Sequence, residues 1–350
     1  MRIHINGNLG YIGPVLVAHL RNKYPDSFLS GFDNAYFAGC LIDPISFPEK
    51  NLDAQYYGDM RLNHPPEMYN KVDAVVQLAA ISNDPMGKEF EKATFDVNTE
   101  AVYHSAVLAK KSGVSHFIFA SSCSVYGAGG DESRNEEAMV NPLTAYARSK
   151  VNAEERLKEL ADDNFIVTCL RFATACGWSP RIRFDLVLND FVASAYIKKK
   201  IVVMSDGSPW RPLIHVNDMA RAIEWAAKRR KEEGGTFLVV NTGSNNWNFQ
   251  VRDLAYCVSN ILGDVEVSIN EDALPDKRSY QVDFSKYTDL AMGYLPTYTL
   301  SSAVSEMFEE LKKCNFLYQD FHLSPFIRLK VLSDLRQSGK LNTDLCWVDA

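Results

Sequence analysis

Near the start of the chain, Arg2-Ile3-His4-Ile5-Asn6 has the pattern of a strand, and Gly7-Asn8-Leu9-Gly10-Tyr11-Ile12-Gly13 leads from it into an amphipathic stretch ending at Lys23. Closely spaced glycines between a strand and a helix permit a tight turn and let backbone approach a ligand. The helix start adds free N–H groups and a positive dipole end, an arrangement suited to a pyrophosphate. Three glycines alone fit an ordinary strand–helix turn equally well, so the flanking sequence has to separate the two readings.

Outward from this turn, β-like runs at 2–6, 27–32, 74–78, 116–120 and 167–172 alternate with helical stretches at 12–23, 98–112 and 144–160. Such alternation predicts an α/β fold, a doubly wound, Rossmann-like parallel sheet with its ligand crevice at the strand C-termini. After Phe172 the pattern loosens: helices are expected at 186–200, 216–231 and 251–262, and short strands at 201–204 and 237–241. We therefore expect a dinucleotide-binding domain over 1–172, with segments from about 211–245 returning to it. A smaller substrate-binding lobe follows over 173–314, then an extension over 315–350, helical at 325–339, whose role the sequence does not reveal.

The chain has 350 residues with 37 basic and 44 acidic side chains, a formal net charge of −7, and 46% hydrophobic residues. That composition supports a full core and argues against wholesale disorder or a general nucleic-acid binder. No apolar run is long enough for a membrane span, and the N-terminus lacks the pattern of a signal peptide. Seven scattered cysteines without C-x-x-C pairs suit reduced thiols in a cytoplasm rather than disulfides or a zinc site. No metal is expected.

Asp33 stands 20 residues beyond Gly13, at the end of the second expected strand. A carboxylate there accepts hydrogen bonds from adenosine ribose hydroxyls and repels a 2′-phosphate, which favours NAD over NADP. The plainer reading is a turn residue in Asp33-Asn34. Asp59, followed by Met60, falls where a third strand would end and suits the adenine amino group, or simply solvent.

Tyr146-Ala147-Arg148-Ser149-Lys150 sets a phenol and an ammonium four residues apart, on one helical face. A free phenol is a poor base at neutral pH, and a neighbouring cation is expected to lower its pKa. The pair could then exchange a proton with a substrate hydroxyl. Alone, the pattern also describes any exposed amphipathic pair. Its context is Ala120-Ser121-Ser122-Cys123-Ser124-Val125-Tyr126-Gly127, which places hydroxyls at a strand's C-terminal end, facing the crevice.

Taken together, these pieces resemble the extended short-chain dehydrogenase/reductases, the nucleotide-sugar epimerase/dehydratase family. The resemblance runs from Met1 to Lys286 and rests on Gly7, Gly10 and Gly13, on Asp33, on Leu78-Ala79-Ala80, on Asn98, on Ser121 to Gly127, and on Tyr146 with Lys150. It implies catalytic roles for Ser122, Tyr146 and Lys150. It implies a dinucleotide site formed by Gly7, Gly10, Tyr11, Ile12, Gly13, Asp33, Asn34, Asp59, Met60, Leu78, Ala79, Ala80 and Asn98 with the same Tyr146 and Lys150. Trp210 to Asp218 is similar to a family segment whose arginine, here Arg211, meets the substrate diphosphate. Arg278 matches a second such arginine, and Asn189 a family asparagine near the phosphates. Thr174 lies where 4-epimerases commonly carry Asn. Where family dehydratases carry Asp and Glu for water elimination, this chain has Cys123 and Ser124, which leaves hydride chemistry alone. Cys123 reads either as a small buried residue or as a second acid/base group.

His215 reads as a packed structural histidine. Arg181 and Arg183 read as part of a solvated loop, with a sugar carboxylate or phosphate as the alternative. The expected function is NAD-dependent epimerisation of a nucleotide-diphosphate sugar at C4. A 4-keto reductase and a non-catalytic dinucleotide-binding regulator are the alternatives. The resemblance also implies a homodimer through the stretches 98–112 and 144–160, whose apolar stripes suit intrachain packing equally well.

Overall fold

Alternate residues of the same strand bury against different helical layers, which is what a sheet covered on both faces requires. Ile118 packs into one core, and its neighbours Phe117 and Phe119 into another. The computed structural model describes residues 1–348 apart from 63, 129–131, 274, 275 and 277. Its central sheet contains β1 (Arg2–Asn6), β2 (Phe28–Asp33), β3 (Ala54–Tyr57), β4 (Ala74–Gln77), β5 (His116–Ser122), β6 (Ile166–Phe172) and a returning strand, Phe237–Thr242. All neighbours pair in parallel, in the order returning strand, β6, β5, β4, β1, β2, β3. The chain therefore winds outward in both directions from the β1/β4 junction, and a crevice opens there at the strand C-termini.

On one face lie α1 (Gly13–Lys23) and, later in the chain, the helix Val216–Ala226. Val15, Leu16, Val17 and Leu20 of α1 share a core with Val216, Met219 and Ile223. Each such side chain contributes roughly 1.5–3 kcal/mol on burial. The short helices α2 (Asp84–Glu89) and α3 (Glu91–Phe95) follow β4. The opposite face carries α4 (Val102–Lys111) and α5 (Ala145–Lys158), whose Val102, Ala106, Ala153 and Leu157 pack on Phe117, Phe119 and Val167. The stretch expected as one helix over 98–112 is wound as a π-helix over Asp96–Ala101 before α4 begins. Thr99 there donates to the Ser149 carbonyl at 3.0 Å, tying the wide turn to α5.

The remaining strands are β7 (Thr174–Cys176), β8 (Lys200–Val203) and β9 (Trp210–His215), the returning β10 (Phe237–Thr242), then β11 (Asn248–Gln250) and β12 (Glu266–Ile269). β7, β9 and β11 form a three-stranded sheet, and β8 pairs with β12. The later helices are α6 (Val187–Lys198), α7 (Val216–Ala226, the helix beside α1), α8 (Val251–Leu262), α9 (Ser285–Leu290), α10 (Leu300–Lys313) and α11 (Arg328–Gln337). Among the described residues, no helix is long and apolar enough to cross a membrane, and no group of three or more His, Cys, Asp or Glu side chains could hold a metal.

Candidate active site

A cleft of about 510 Å³ opens at the C-terminal ends of the central strands. Gly7, Gly10, Tyr11 and Ile12 line it. Gly7 has φ +82°, and a Cβ on it would lie 2.3 Å from the Ala79 nitrogen, so the turn needs a residue without a side chain. No side chain caps α1, and Pro14 in its first turn has no N–H, so the main chain of Gly10, Tyr11 and Ile12, just before the helix, is what meets the cleft at its positive end. Gly13 does not line the cleft. A Cβ there would lie 2.0 Å from the Asn8 carbonyl oxygen, so this glycine serves the packing of α1 on its own turn.

Asp33, the last residue of β2, accepts from the Leu9 N–H at 3.0 Å and the Ala35 N–H at 2.7 Å. Burial raises its pKa, and these two donors counter the rise. Asn34, Asp59, Met60, Leu78, Ala79 and Ala80 line the same end of the cleft. Asp59 is paired with Arg61 at 2.5 Å. Asn98 is buried outside the cleft lining: its amide bonds both the N–H and the carbonyl of Ile81, at 2.9 and 3.0 Å, and the Ser149 hydroxyl at 3.0 Å. It holds the loop after β4 against α5.

Ser122 ends β5, and Tyr146 and Lys150 come from α5, so the sheet and one helix bring the three into the cleft together. The Thr144 hydroxyl caps α5 by accepting from the Ala147 N–H at 3.1 Å. Lys150 donates to the Ala120 carbonyl at 2.7 Å, and its ammonium lies 5.6 Å from the centre of the Tyr146 ring. The expected depression of the phenol is not what the protein's own groups produce. Burial pushes Tyr146 up to about 12, against the pull of the Ser122 hydroxyl, and pushes Lys150 down to about 7, against Glu154. Burial favours the neutral form of each and outweighs the neighbouring charges.

At the other end of the cleft stand Thr174, Arg211 and Arg278. Arg211 donates to Asp276 at 2.9 Å, and Arg278 pairs with Asp276 and Asp84, each at 2.5 Å. Asn189, expected near the phosphates, is buried away from the cleft lining. It accepts from the Gly177 N–H at 2.9 Å and donates to the Arg183 carbonyl at 3.0 Å. His215 is fully buried, stacked 3.6 Å from Tyr298 and bonded to Glu306.

Arg181 and Arg183 are not solvated. Arg181 pairs with Glu49 at 2.6 Å, and Arg183 makes a two-pronged pair with Asp185 and bonds the Ser82 hydroxyl in the cleft. Their loop is pinned under the glycine turn, where the Ser179 hydroxyl donates to the Tyr11 carbonyl at 2.7 Å. Cys123 is buried, its thiol donating to the Arg171 carbonyl, and burial pushes its pKa up.

Sequence reasoning overlooked several residues that line the cleft, among them Asp84, Ser124, Asp185, Tyr280 and Arg328. Ser124 was within reach: it follows Ser122 by two, and its hydroxyl is buried without a hydrogen-bond partner. For Arg328, just over 200 residues beyond the Ser122 segment, the sequence offers no local signal.

Residues 3–243 match the NAD dependent epimerase/dehydratase family. The chain belongs to that family. Among curated relatives, the dTDP-D-glucose 4,6-dehydratase of Mus musculus is 26% identical over 236 residues, and this epimerase/dehydratase family chain spans 63% of its length, with 63% of the chain matched. A putative UDP-glucose 4-epimerase of Methanocaldococcus jannaschii is 22% identical over 327 residues, covering 89% of this chain and 99% of the relative. The crystal structure of UDP-glucuronic acid 4-epimerase from Bacillus cereus, in complex with UDP-glucuronic acid and NAD, shares the fold. Its TM-score is 0.74 at 22% identity, with 89% of this chain and 99% of that chain covered.

Proposed function

We propose that this family member is an NAD-dependent epimerase of a nucleotide-diphosphate sugar, acting at C4 through a transient 4-keto sugar. The observation that carries the reading is a single cleft holding Ser122, Tyr146 and Lys150 between a glycine turn and the Arg211–Arg278 pair. The residues fit the cofactor: the glycine turn and the uncapped start of α1 suit its diphosphate, and the Asp33 carboxylate suits ribose hydroxyls and disfavours a 2′-phosphate. Bound NAD supplies the hydride acceptor and then the donor.

Tyr146 exchanges a proton with the sugar O4 atom. Ser122 donates to the same oxygen, and Lys150 sets the charge beside the phenol. Arg211 and Arg278 hold the diphosphate while the keto sugar turns. The unpartnered Ser124 hydroxyl suits a further sugar oxygen. Cys123, buried with its thiol on a main-chain carbonyl, offers no acid for water elimination. We also propose a cytoplasmic homodimer paired through 98–112 and 144–160.

The test equilibrates the purified chain with UDP-, GDP-, CDP- and dTDP-hexoses. The expected result is interconversion of a C4 epimer pair without net NADH formation. Stoichiometric consumption of added NAD(P)H on a 4-keto substrate would overturn the epimerase in favour of a reductase.

A further inference from the structure

The tail beyond α10 joins neither the seven-stranded nor the three-stranded sheet. Phe316, Phe321 and Phe326 anchor its start in the main core, and from α11 on it builds a smaller core in which Leu332 and Leu341 pack with Tyr36, Met86 and Phe90. These partners come from two segments beside the cleft: Tyr36 follows β2 and lines it, while Met86 and Phe90 lie along α2 and its end, next to the lining residues Asp84 and Pro85. Past α11 the chain returns over the first segment. The Leu345 carbonyl accepts from the Tyr36 hydroxyl and from Arg61, the latter at 3.0 Å. The Trp347 indole donates to the Asn34 carbonyl at 2.7 Å. Arg61 in turn holds Asp59. The tail thus fixes the loops carrying Asn34 and Asp59.

Arg328, the first residue of α11, lines the cleft and is 2% exposed. Its guanidinium donates only to main-chain carbonyls, those of Pro325, Arg181 and Ile182, and forms no ion pair among the described residues. Carbonyls satisfy its N–H groups but bring no countercharge, and the carboxylate whose field reaches it, Asp185, is already held by both prongs of Arg183. A buried cation without a countercharge is costly unless a bound anion supplies one. Burial lowers its pKa only to about 10, so it is charged at neutral pH. The guanidinium lies 5.0 Å from the Phe37 ring centre. It also bonds the carbonyl of Arg181, whose loop is pinned to Tyr11 of the glycine turn through Ser179. Arg211 and Arg278 serve the opposite end.

We infer that the C-terminal tail completes the dinucleotide site: Arg328 provides the countercharge for the cofactor's diphosphate, and residues 344–347 hold the adenosine-side loops closed over it. This rests on the proposed NAD reading and extends it to a segment outside the matched residues 3–243. A tail that clasps the cofactor suits an enzyme that regenerates its NAD in every cycle.

The test measures calorimetric dissociation constants of the full chain for NAD and ADP-ribose. Arg328→Gln, neutral but still a donor, weakens both by about tenfold or more, and Arg328→Lys recovers most of the loss. Trp347→Ala, at an edge that is 42% exposed, speeds NAD release in stopped-flow displacement and covers the case of an Arg328 variant that fails to fold. Wild-type affinity in Arg328→Gln overturns the inference, as does an unchanged release rate in Trp347→Ala. A wild-type chain that binds neither ligand overturns the NAD reading itself, and this inference with it.

Discussion

Asp84 and Arg278, 194 residues apart in sequence, meet at 2.5 Å where both line the cleft. Asp84 opens α2 and also accepts from the Thr144 hydroxyl at 2.6 Å, so one carboxylate links the cap of α5 to an arginine proposed to grip a diphosphate. An incoming diphosphate competes with Asp84 for that arginine. Asp84→Asn keeps an acceptor for Thr144 and removes one of the two competing charges, leaving Asp276 on the same guanidinium. Because Arg278 is 40% exposed, the gain is small: nucleoside-diphosphate binding tightens by up to about fivefold, read by calorimetry. Weaker binding would show that Asp84 orients Arg278 instead.

Tyr146→Phe removes the proton-exchanging oxygen and keeps the ring. We expect kcat to fall by about 10²–10⁴ while NAD and nucleotide-sugar affinities stay near wild type. Retained turnover would sink the proton-transfer role.

Lys150 has a folded-state pKa of about 7, against 10.5 for the free side chain. The unfolded chain therefore binds more protons than the folded chain between those values. Below pH 7 the full cost of a buried ammonium is present, and it fades as pH rises toward 10.5. Lys150→Met should be inactive, yet more stable than wild type at pH 6, with the advantage shrinking by pH 10. Urea unfolding across that range reads the sign, and an advantage that grows with pH would contradict it.

Cys123 donates its thiol to the Arg171 carbonyl and lies outside the cleft lining. Cys123→Ala costs stability, about 1 kcal/mol, and leaves the pH profile of turnover unchanged. Loss of one limb of that profile would reinstate the thiol as an acid/base group.

The glycine turn, the strand-end Asp33, the Ser122 segment and the Tyr146–Lys150 pair are all short-range patterns, and each was legible because a few neighbouring residues carry its physics. Expectation and structure part where a side chain's partner is set by how the chain folds back, whether that partner is near or far in sequence. Asn98 and Asn189 sit in family-like positions, yet their amides are spent on the main chain of Ile81, Gly177 and Arg183. Arg181 and Arg183 looked solvent-bound beside Pro180, and are buried because Glu49, 132 residues away, meets the first and the loop folds Asp185, two residues on, against the second.

Periodicity and glycine spacing by themselves determined the doubly wound sheet and the end of it that carries the crevice, because strand–helix alternation and turn sterics act over tens of residues at most. Tertiary structure alone decided the ionisation of Tyr146 and Lys150, the Asp84–Arg278 contact and the placing of Arg328 in the cleft. Desolvation and charge pairing depend on distance in space, and a sequence records only distance along the chain.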